Sequence, residues 1–445
     1  MKKLMKLIEE KMTPLANFLG SERHLSAMQK AFMSILPMIF VGAVFMLLAN
    51  PPVTADMVAE GGIWSIFSGW YHFANTYKTT ILIPYNMTMG LLSVAVAFFI
   101  GYNLAKSYGM KEAVNGITAM IVFMVVAAPA NYTALADGST PLMMNTTYLG
   151  AQGMFTAILI GLVTVEITRF CQKHHITIRL PEVCPPALTD SFATIIPMGI
   201  NITLFFAVNL IIGAAMPGSS LPSCIEAVLA KPVGAVNSVP GSLLLCAFIL
   251  ILWCCGVHGQ MVTMAVTSPI TMAAFASNAE LFAAGQNPVF HPIFMTLAIN
   301  MLGGTGNTFG LCTLSLKAKS EQMKAFGKAT IVPSFFRLSE PAIFGAPIMF
   351  NPILMIPFVL NSLVAAVLYW LACTAGLVTA PYLMISGTYP IFLSLFICCL
   401  DWRVLVFVAL MIPVTMAVWY PFFKAYDNQL WREEQKVKGK EEGTE

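Results

Sequence analysis

RLSEPAIFGAPIMFNP, running from Arg337 to Pro352, sets a carboxylate, Glu340, beside a proline in an otherwise largely apolar stretch, with Arg337 three residues before it. In a water-soluble domain that spacing reads as an ion pair on one helical turn. The flanks, Ile331-Val332 upstream and Ile353–Leu360 downstream, are apolar as well. What Glu340 does therefore depends on the solvent around the chain.

Composition settles the solvent. Hydrophobic residues make up 58% of the 445 and charged residues 10%, against roughly 25% charged in an average soluble domain. Mean hydropathy is +0.77. Too few polar groups exist to cover a water-facing surface, so lipid must cover much of it. A net charge of +3 is too small to imply a nucleic-acid partner. The 10 cysteines include Cys246, Cys254, Cys255, Cys312, Cys373, Cys398 and Cys399 inside apolar runs, where cysteine acts as a small hydrophobe. No Cys-x-x-Cys and no Cys/His ligand spacing occurs, and His174-His175 lies in a polar loop, so neither a metal nor a cofactor is expected.

The fold class expected is an all-α polytopic membrane protein. A spanning helix needs about 20 largely apolar residues, and about ten spans are expected, near 28–50, 85–106, 113–131, 150–169, 191–216, 241–257, 260–284, 292–316, 352–375 and 403–423. Two further apolar stretches, 329–350 and 378–399, are interrupted by Pro, Gly, Ser and Thr and read as re-entrant hairpins. The N-terminus, MKKLMKLIEEKMTPLANFLG, lacks the unbroken apolar core of a signal peptide and reads as an amphipathic interfacial helix. Ten crossings from a cytoplasmic N-terminus put Arg23/Lys30, Lys106/Lys111, Arg169/Lys173/Arg179, Lys317/Lys319/Lys324/Lys328 and the tail from Lys424 on the cytoplasmic side, as positive residues prefer. The opposite loops, 51–84 and 132–149, hold Lys78 as their lone Lys or Arg, and the first also carries Trp64, Trp70, Tyr71 and Tyr77, aromatics suited to an interface. The organisation expected is an N-terminal amphipathic segment (1–27), a scaffold half (28–216), a transport half with the broken segments (217–424) and a cytoplasmic tail (425–445).

Three constellations in the second half carry chemistry. Glu340 is an ionisable group inside an apolar segment, where insertion of a mid-helix Asp costs about 2.5–3.5 kcal/mol. It is a solute contact, a partner of Arg337 or a residue that simply reaches the surface, and Arg337 can itself instead reach cytoplasmic water. WCCGVHGQ (Trp253–Gln260) sets His258 between Gly256 and Gly259, either as a ligand contact or as a satisfied core histidine. GGTGNTFGL (Gly303–Leu311) lacks the Lys-Ser/Thr of a nucleotide loop. Thr305, Asn307 and Thr308 there offer groups suited to a hydroxyl-rich ligand. One carboxylate, one imidazole and several hydroxyls and amides suit a neutral polyhydroxylated solute better than an ion.

These residues resemble the membrane component, enzyme IIC, of bacterial sugar phosphotransferase systems, in the lactose/cellobiose/N,N'-diacetylchitobiose group. The resemblance spans nearly the whole chain and rests on LSEPAIFGAPIMFNPILMIPF (338–358), W-x-x-G-x-H-G (253–259), GG-x-G-x-T (303–308), VCPPALTDSFATIIP (183–197) and YPFFKAYD (420–427). It implies a homodimer in the bacterial cytoplasmic membrane, with the N-terminal half at the dimer interface and one sugar held by each C-terminal half. Transport of elevator type is expected. It also implies that Glu340 and His258 contact the hydroxyl of a β-linked disaccharide that becomes phosphorylated, Glu340 acting as general base. The substrate-binding set expected is His258, Glu340, Arg337, Ser339, Asn307, Thr305 and Gln260. The partners implied are the soluble phosphocarriers EIIB and, through it, EIIA and HPr; with a charged tail closing the sequence, the donor is expected to be a separate protein.

Two departures bear on which sugar is bound. Relatives carry asparagine where this chain has Arg337 and Ser339, and ISGTYP (385–390) replaces a Pro-Trp-Thr-Thr-Pro stretch whose tryptophan would stack on a sugar. Tyr382 and Tyr389 are the candidates to replace that ring. Two rival functions use the same residues: a proton-driven transporter with Glu340 and His258 as the relay, and a membrane sugar sensor that does not transport.

Overall fold

In hydrocarbon every backbone N–H and C=O must find its partner within the protein, and helices meet that demand one segment at a time. The computed structural model of the chain is built accordingly and describes residues 22–51, 53, 58–59, 62–178, 180–181, 185–346, 348–349, 351–384 and 389–441. Most of the expected N-terminal amphipathic segment lies outside the described residues, as do Arg179, the first residues of the 183–197 motif and Ile385–Thr388.

The described chain divides into two compact units, residues 22–233 with Met264–Ala276, and residues 234–263 with 277–441. The first contains α1 (Arg23–Ala49), α2 (Ser68–Thr88), α3 (Leu92–Ser107), α4 (Glu112–Ala127), α5 (Met154–Lys173), α6 (Pro186–Ala215) and most of α7 (Leu221–Val236). Helix α3 packs against α1, α4 and α5. Small residues allow that approach: a Cβ on Gly161 of α5 would lie 2.8 Å from Ile100 Cγ2, and one on Gly101 2.8 Å from Ala119 Cβ. The guanidinium groups of Arg23 and Arg169 stand 5.1 and 4.0 Å from the Tyr108 ring centroid, so three of the basic clusters gather at one end of this unit. A short antiparallel ribbon, β1 (Ala130–Tyr132) with β2 (Leu142–Met144), is the exception to an all-helical chain among the described residues.

The second unit contains α8 (Val239–Cys254), the ends of α9 (Gly259–Ala283), α10 (Met295–Ala298), α11 (Phe309–Ser315), α12 (Glu321–Phe335), α13 (Glu340–Gly345), α14 (Pro352–Thr374), α15 (Ile391–Cys399) and α16 (Trp402–Glu441). Its core holds the fully buried Trp419, Tyr369, Phe358 and Phe294.

Among the described residues six helices are long and apolar enough to cross a membrane, or up to seven if the bent pair Leu221–Val236 and Val239–Cys254 is one span. Two expectations about particular segments need correction. The loop expected over 51–84 carries α2, which continues through a short 3-10 turn into α3 as one apolar run, Ser65–Ser107. The continuous span expected at 292–316 is instead two short helices, α10 and α11, around a glycine loop, because Gly303, Gly304, Gly306 and Asn307 all take positive φ and cannot continue a right-handed helix. The 329–350 and 378–399 stretches are broken as expected: α12 ends at Phe335 before the short α13, and α15 begins only at Ile391.

Gly161→Val should overpack the α3–α5 contact and cost about 1–3 kcal/mol, read as a lower midpoint of thermal unfolding in detergent.

Candidate functional site

The glycine loop fixes the geometry of the second unit. At Gly304 (φ +78°) a Cβ would meet Arg337 O at 2.6 Å and Ser339 N at 2.9 Å, so this loop lies directly against the backbone of the RLSE turn. At Gly306 (φ +87°) it would enter the Phe358 ring, 2.1 Å from Cε2. Asn307, also left-handed at φ +50°, is wholly buried. Its Oδ1 accepts from Leu302 N (2.8 Å), and its Nδ2 donates to Ala298 O (3.0 Å). The Asn307 carbonyl in turn accepts from Asn361 Nδ2 (3.2 Å) and Trp419 Nε1 (3.2 Å). Asn307 thus shapes the loop, and its side-chain amide is committed to backbone groups.

The RLSE turn is a helix ending. Leu338 N donates to Pro333 O (3.0 Å) and Arg337 N to Ser334 O (2.9 Å), which closes α12 with Arg337 in the left-handed position that glycine normally takes, φ +64°. The Arg337 side chain folds inward, donating from Nε to Asn300 O (2.9 Å) and from Nη1 to Ser394 Oγ on α15. No Arg337–Glu340 ion pair forms among the described residues, so neither reading of Arg337 drawn from spacing describes its contacts. Ser339, 4% exposed, then precedes α13, and Glu340 and Pro341 open that short helix. Glu340 is exposed.

The turn between α8 and α9 supplies the imidazole. His258 is exposed, caps α9 by accepting from Met261 N at Nδ1 (3.3 Å), and lies 4.3 Å from the Trp253 ring, centroid to centroid. The Glu340 carboxylate is close enough to His258 to act on it electrostatically. Beneath the imidazole, Gln260 accepts from Trp253 Nε1 (2.5 Å) and donates to Asn300 Oδ1 (2.9 Å) and Thr305 Oγ1 (2.7 Å). Thr305 donates to the same Asn300 oxygen (2.9 Å). The unit therefore leaves Glu340 and His258 both exposed, with the Trp253 ring linking His258 to a connected set of Gln260, Thr305 and Asn300, and Arg337 bonded to the Asn300 carbonyl.

Sequence reading did not single out Asn300, Ser394, Asn278, Asp401 or the part played by Asp427. A buried amide in an apolar run was the available signal for Asn300 and Asn278. Asn278 binds Val289 O (2.8 Å) and Pro381 O (2.7 Å) and so anchors the irregular 377–384 segment. Asp401 accepts from Thr379 N (2.9 Å) and Arg403 N (2.9 Å). Burial alone would raise its carboxyl, but these bonds and the Arg403 side chain hold it below its ordinary value. Tyr382 is buried, its ring stacked 4.0 Å from Phe282, whereas Tyr389 is half-buried. Of the two candidate rings, Tyr389 is thus the more accessible. Among the described residues no group of three or more His, Cys, Asp or Glu could hold a metal ion.

Interrupted helices carrying a polar cluster within an apolar bundle are the arrangement in which membrane carriers hold solutes. The comparisons narrow that class: the chain belongs to the Phosphotransferase system, EIIC family, whose model matches residues 29–362. It is 31% identical to the lichenan permease IIC component of Bacillus subtilis (strain 168), covering 98% of this chain and 96% of that one. It is also 31% identical to the lactose-specific EIICB component of Lacticaseibacillus casei, covering 98% of this chain but 73% of the relative. Among solved structures it matches the transporter ChbC, the IIC component of the N,N'-diacetylchitobiose-specific phosphotransferase system, with a TM-score of 0.85 at 26% identity, over 96% of this chain and 99% of that one.

Arg337 yields a three-way test. A non-glycine residue held at positive φ costs about 1–2 kcal/mol, and here the hydrogen bonds of the guanidinium offset that cost. Arg337→Ala keeps the strain and loses the bonds, so it should be the least stable. Arg337→Gly and Arg337→Asn, whose residues accept the left-handed turn, should each fall closer to wild type. Thermal unfolding of the three purified variants checks the order; Ala as stable as Asn would refute it.

Proposed function

We propose that this EIIC protein binds a β-linked disaccharide, carries it across the bacterial cytoplasmic membrane and presents one of its hydroxyls to a phosphorylated EIIB protein. Glu340 accepts the hydroxyl proton as the phosphorus–oxygen bond to the sugar forms and the bond from phosphorus to the donor's cysteine or histidine breaks. His258 donates to or accepts from the same sugar. Gln260, Thr305 and Asn300 hold the imidazole and its turn in place, Arg337 and Ser339 set the angle of α13, and Asn307 keeps the glycine loop in shape beneath them.

The observation that carries this reading is that Glu340 and His258 are both exposed on interrupted segments of the second unit, while Gln260, Thr305 and Asn300 nearby are bonded to one another. The relatives named for lichenan, lactose and N,N'-diacetylchitobiose support a β-linked sugar. The chain's first half is the scaffold and homodimer interface in this reading, its second half the transport unit, and motion of the transport unit is of elevator type. The relative named EIICB joins the C and B components in one chain, which supports EIIB as the immediate donor.

Reconstitution in vesicles with EIIB, EIIA, HPr and a phosphoenolpyruvate supply tests it: sugar phosphate should accumulate only when the carriers are present. Accumulation of unmodified sugar driven by a proton gradient would replace this reading with a secondary transporter. Sugar binding with no transport under either condition would make the protein a sensor. Glu340→Gln should lower the phosphorylation rate by about 10²–10⁴-fold, the usual worth of a general base, with sugar affinity changed only a few-fold. His258→Ala should instead weaken sugar binding, measured by calorimetry on protein that still elutes as wild type.

A further inference from the structure

The motif YPFFKAYD has no part in the sugar site, yet its last residue organises the far end of α12. Asp427, 4% exposed on α16, accepts from Lys319 N (2.9 Å) and Ser320 N (2.9 Å). About two turns later, Glu434 accepts from Ser320 Oγ (2.6 Å), Glu321 N (3.1 Å) and Gln322 N (3.1 Å). Two carboxylates of the last helix thus occupy the free N–H groups at the start of α12, where helix polarity favours negative charge. The basic loop 317–319 and the C-terminal turns of α16 are thereby locked side by side.

That lock has an electrostatic consequence. Asp427 and Glu434 are turned onto backbone N–H groups, Glu321 is paired with Lys324 (2.8 Å) and Glu433 accepts from Gln429 (3.2 Å). Lys317, Lys319 and Arg432 remain exposed. Lys319 is aimed rather than loose: its Nζ reaches Asn428 Oδ1 (3.4 Å) and stands 5.9 Å from the Trp431 ring centroid. Trp431 itself is 40% exposed, a large apolar face next to fixed cations. Tryptophan is a usual anchor of protein–protein contacts, and fixed cations around it steer an acidic partner. Since the loop and the tail meet within one unit, both lie on the same side of the membrane, and their positive charge makes it the cytoplasmic side.

We propose that Lys317, Lys319, Asn428 and Trp431 form one docking surface for the phosphoryl-donor protein, with Trp431 as the apolar anchor and the lysines meeting an acidic, phosphate-bearing rim. The inference rests on the phosphotransfer reading above and adds the place where the partner sits. Helix α12 has 15 residues, about 22 Å at 1.5 Å per residue, between this surface and the turn that carries Arg337. The surface therefore holds the donor and does not itself take part in the transfer.

The experiment uses the full chain in vesicles with purified, enzymatically phosphorylated EIIB of a cellobiose-type system, varying the EIIB concentration at saturating sugar. Trp431→Ala and, separately, Lys319→Glu should each raise the half-saturating EIIB concentration at least tenfold, with the maximal rate and sugar affinity within twofold of wild type. High salt should shrink the Lys319→Glu defect and leave that of Trp431→Ala, since only the first acts through charge. Lys106→Glu, in the other unit, should leave the EIIB dependence unchanged. Intact sugar binding certifies that each variant is folded. Unchanged half-saturation in both variants, with the wild type active, overturns the docking surface alone. A wild-type chain that binds sugar but is never served by phosphorylated EIIB overturns the phosphotransfer reading, and the docking surface with it.

Discussion

A helix interrupted within an apolar bundle frees backbone groups that hydrocarbon cannot satisfy, each at a cost of several kcal/mol. The second unit meets this constraint at Asn307. Its amide closes the loop onto Leu302 N and Ala298 O, and its own carbonyl is taken by Asn361 from α14 and Trp419 from α16. One residue therefore ties three helical elements around a stretch whose own backbone bonds are isolated turns. Asn278 and Asp401 do the same for the 377–384 segment, each offering side-chain groups to backbone that has left regular structure. The irregular backbone exists because these side chains replace the helix's own ladder.

The polar cluster follows from that solution. Because the loop is closed at Asn307, Gly304 can press against Arg337 and Ser339 with no Cβ between them. Contact at this point leaves the α12 ending only the left-handed turn seen at Arg337, and the turn sends the guanidinium inward to Asn300. Asn300 in turn receives Gln260, which fixes Trp253 and, through ring contact, His258. The chain of contacts runs from a buried loop to an exposed imidazole without a gap. Disturbance at any member should be felt at His258, although none of the buried members needs to touch a ligand.

Much of this was legible in the sequence, and the boundary of legibility has a physical cause. Apolar runs of sufficient length marked most helices, since lipid leaves the sequence few alternatives. The 292–316 run was equally apolar, and hydropathy cannot distinguish a span from two short helices around a loop; its glycines carried the difference, through backbone angles that composition does not encode. Glu340, His258, Gln260 and Thr305 were visible as polar residues in apolar surroundings. Arg337 was visible too, but spacing alone could not give its direction, because α12 ends at Phe335 and α13 begins at Glu340, which removes the regular geometry on which an i,i+3 argument depends. Asn300 was hidden since its role lies in contacts made from far along the chain.

The carboxylates of the second unit offer a final argument about Glu340. Asp401, Asp427 and Glu434 each accept from backbone N–H groups of segments that begin or leave a helix, and Asp401 also binds Arg403. Those are structural carboxylates, recognisable by partners that fold the chain. Glu340 has no hydrogen bond or ion pair of that kind among the described residues, and the arginine three positions before it is turned toward Asn300 instead. Glu340 suits the first turn of α13, where helix polarity favours an acid, but among the described residues no donor holds its oxygens. Its oxygens are exposed in the same unit as the exposed imidazole of His258. The diversion of Arg337 matters for the same reason: turned to Asn300 and Ser394, its guanidinium does not occupy the Glu340 oxygens.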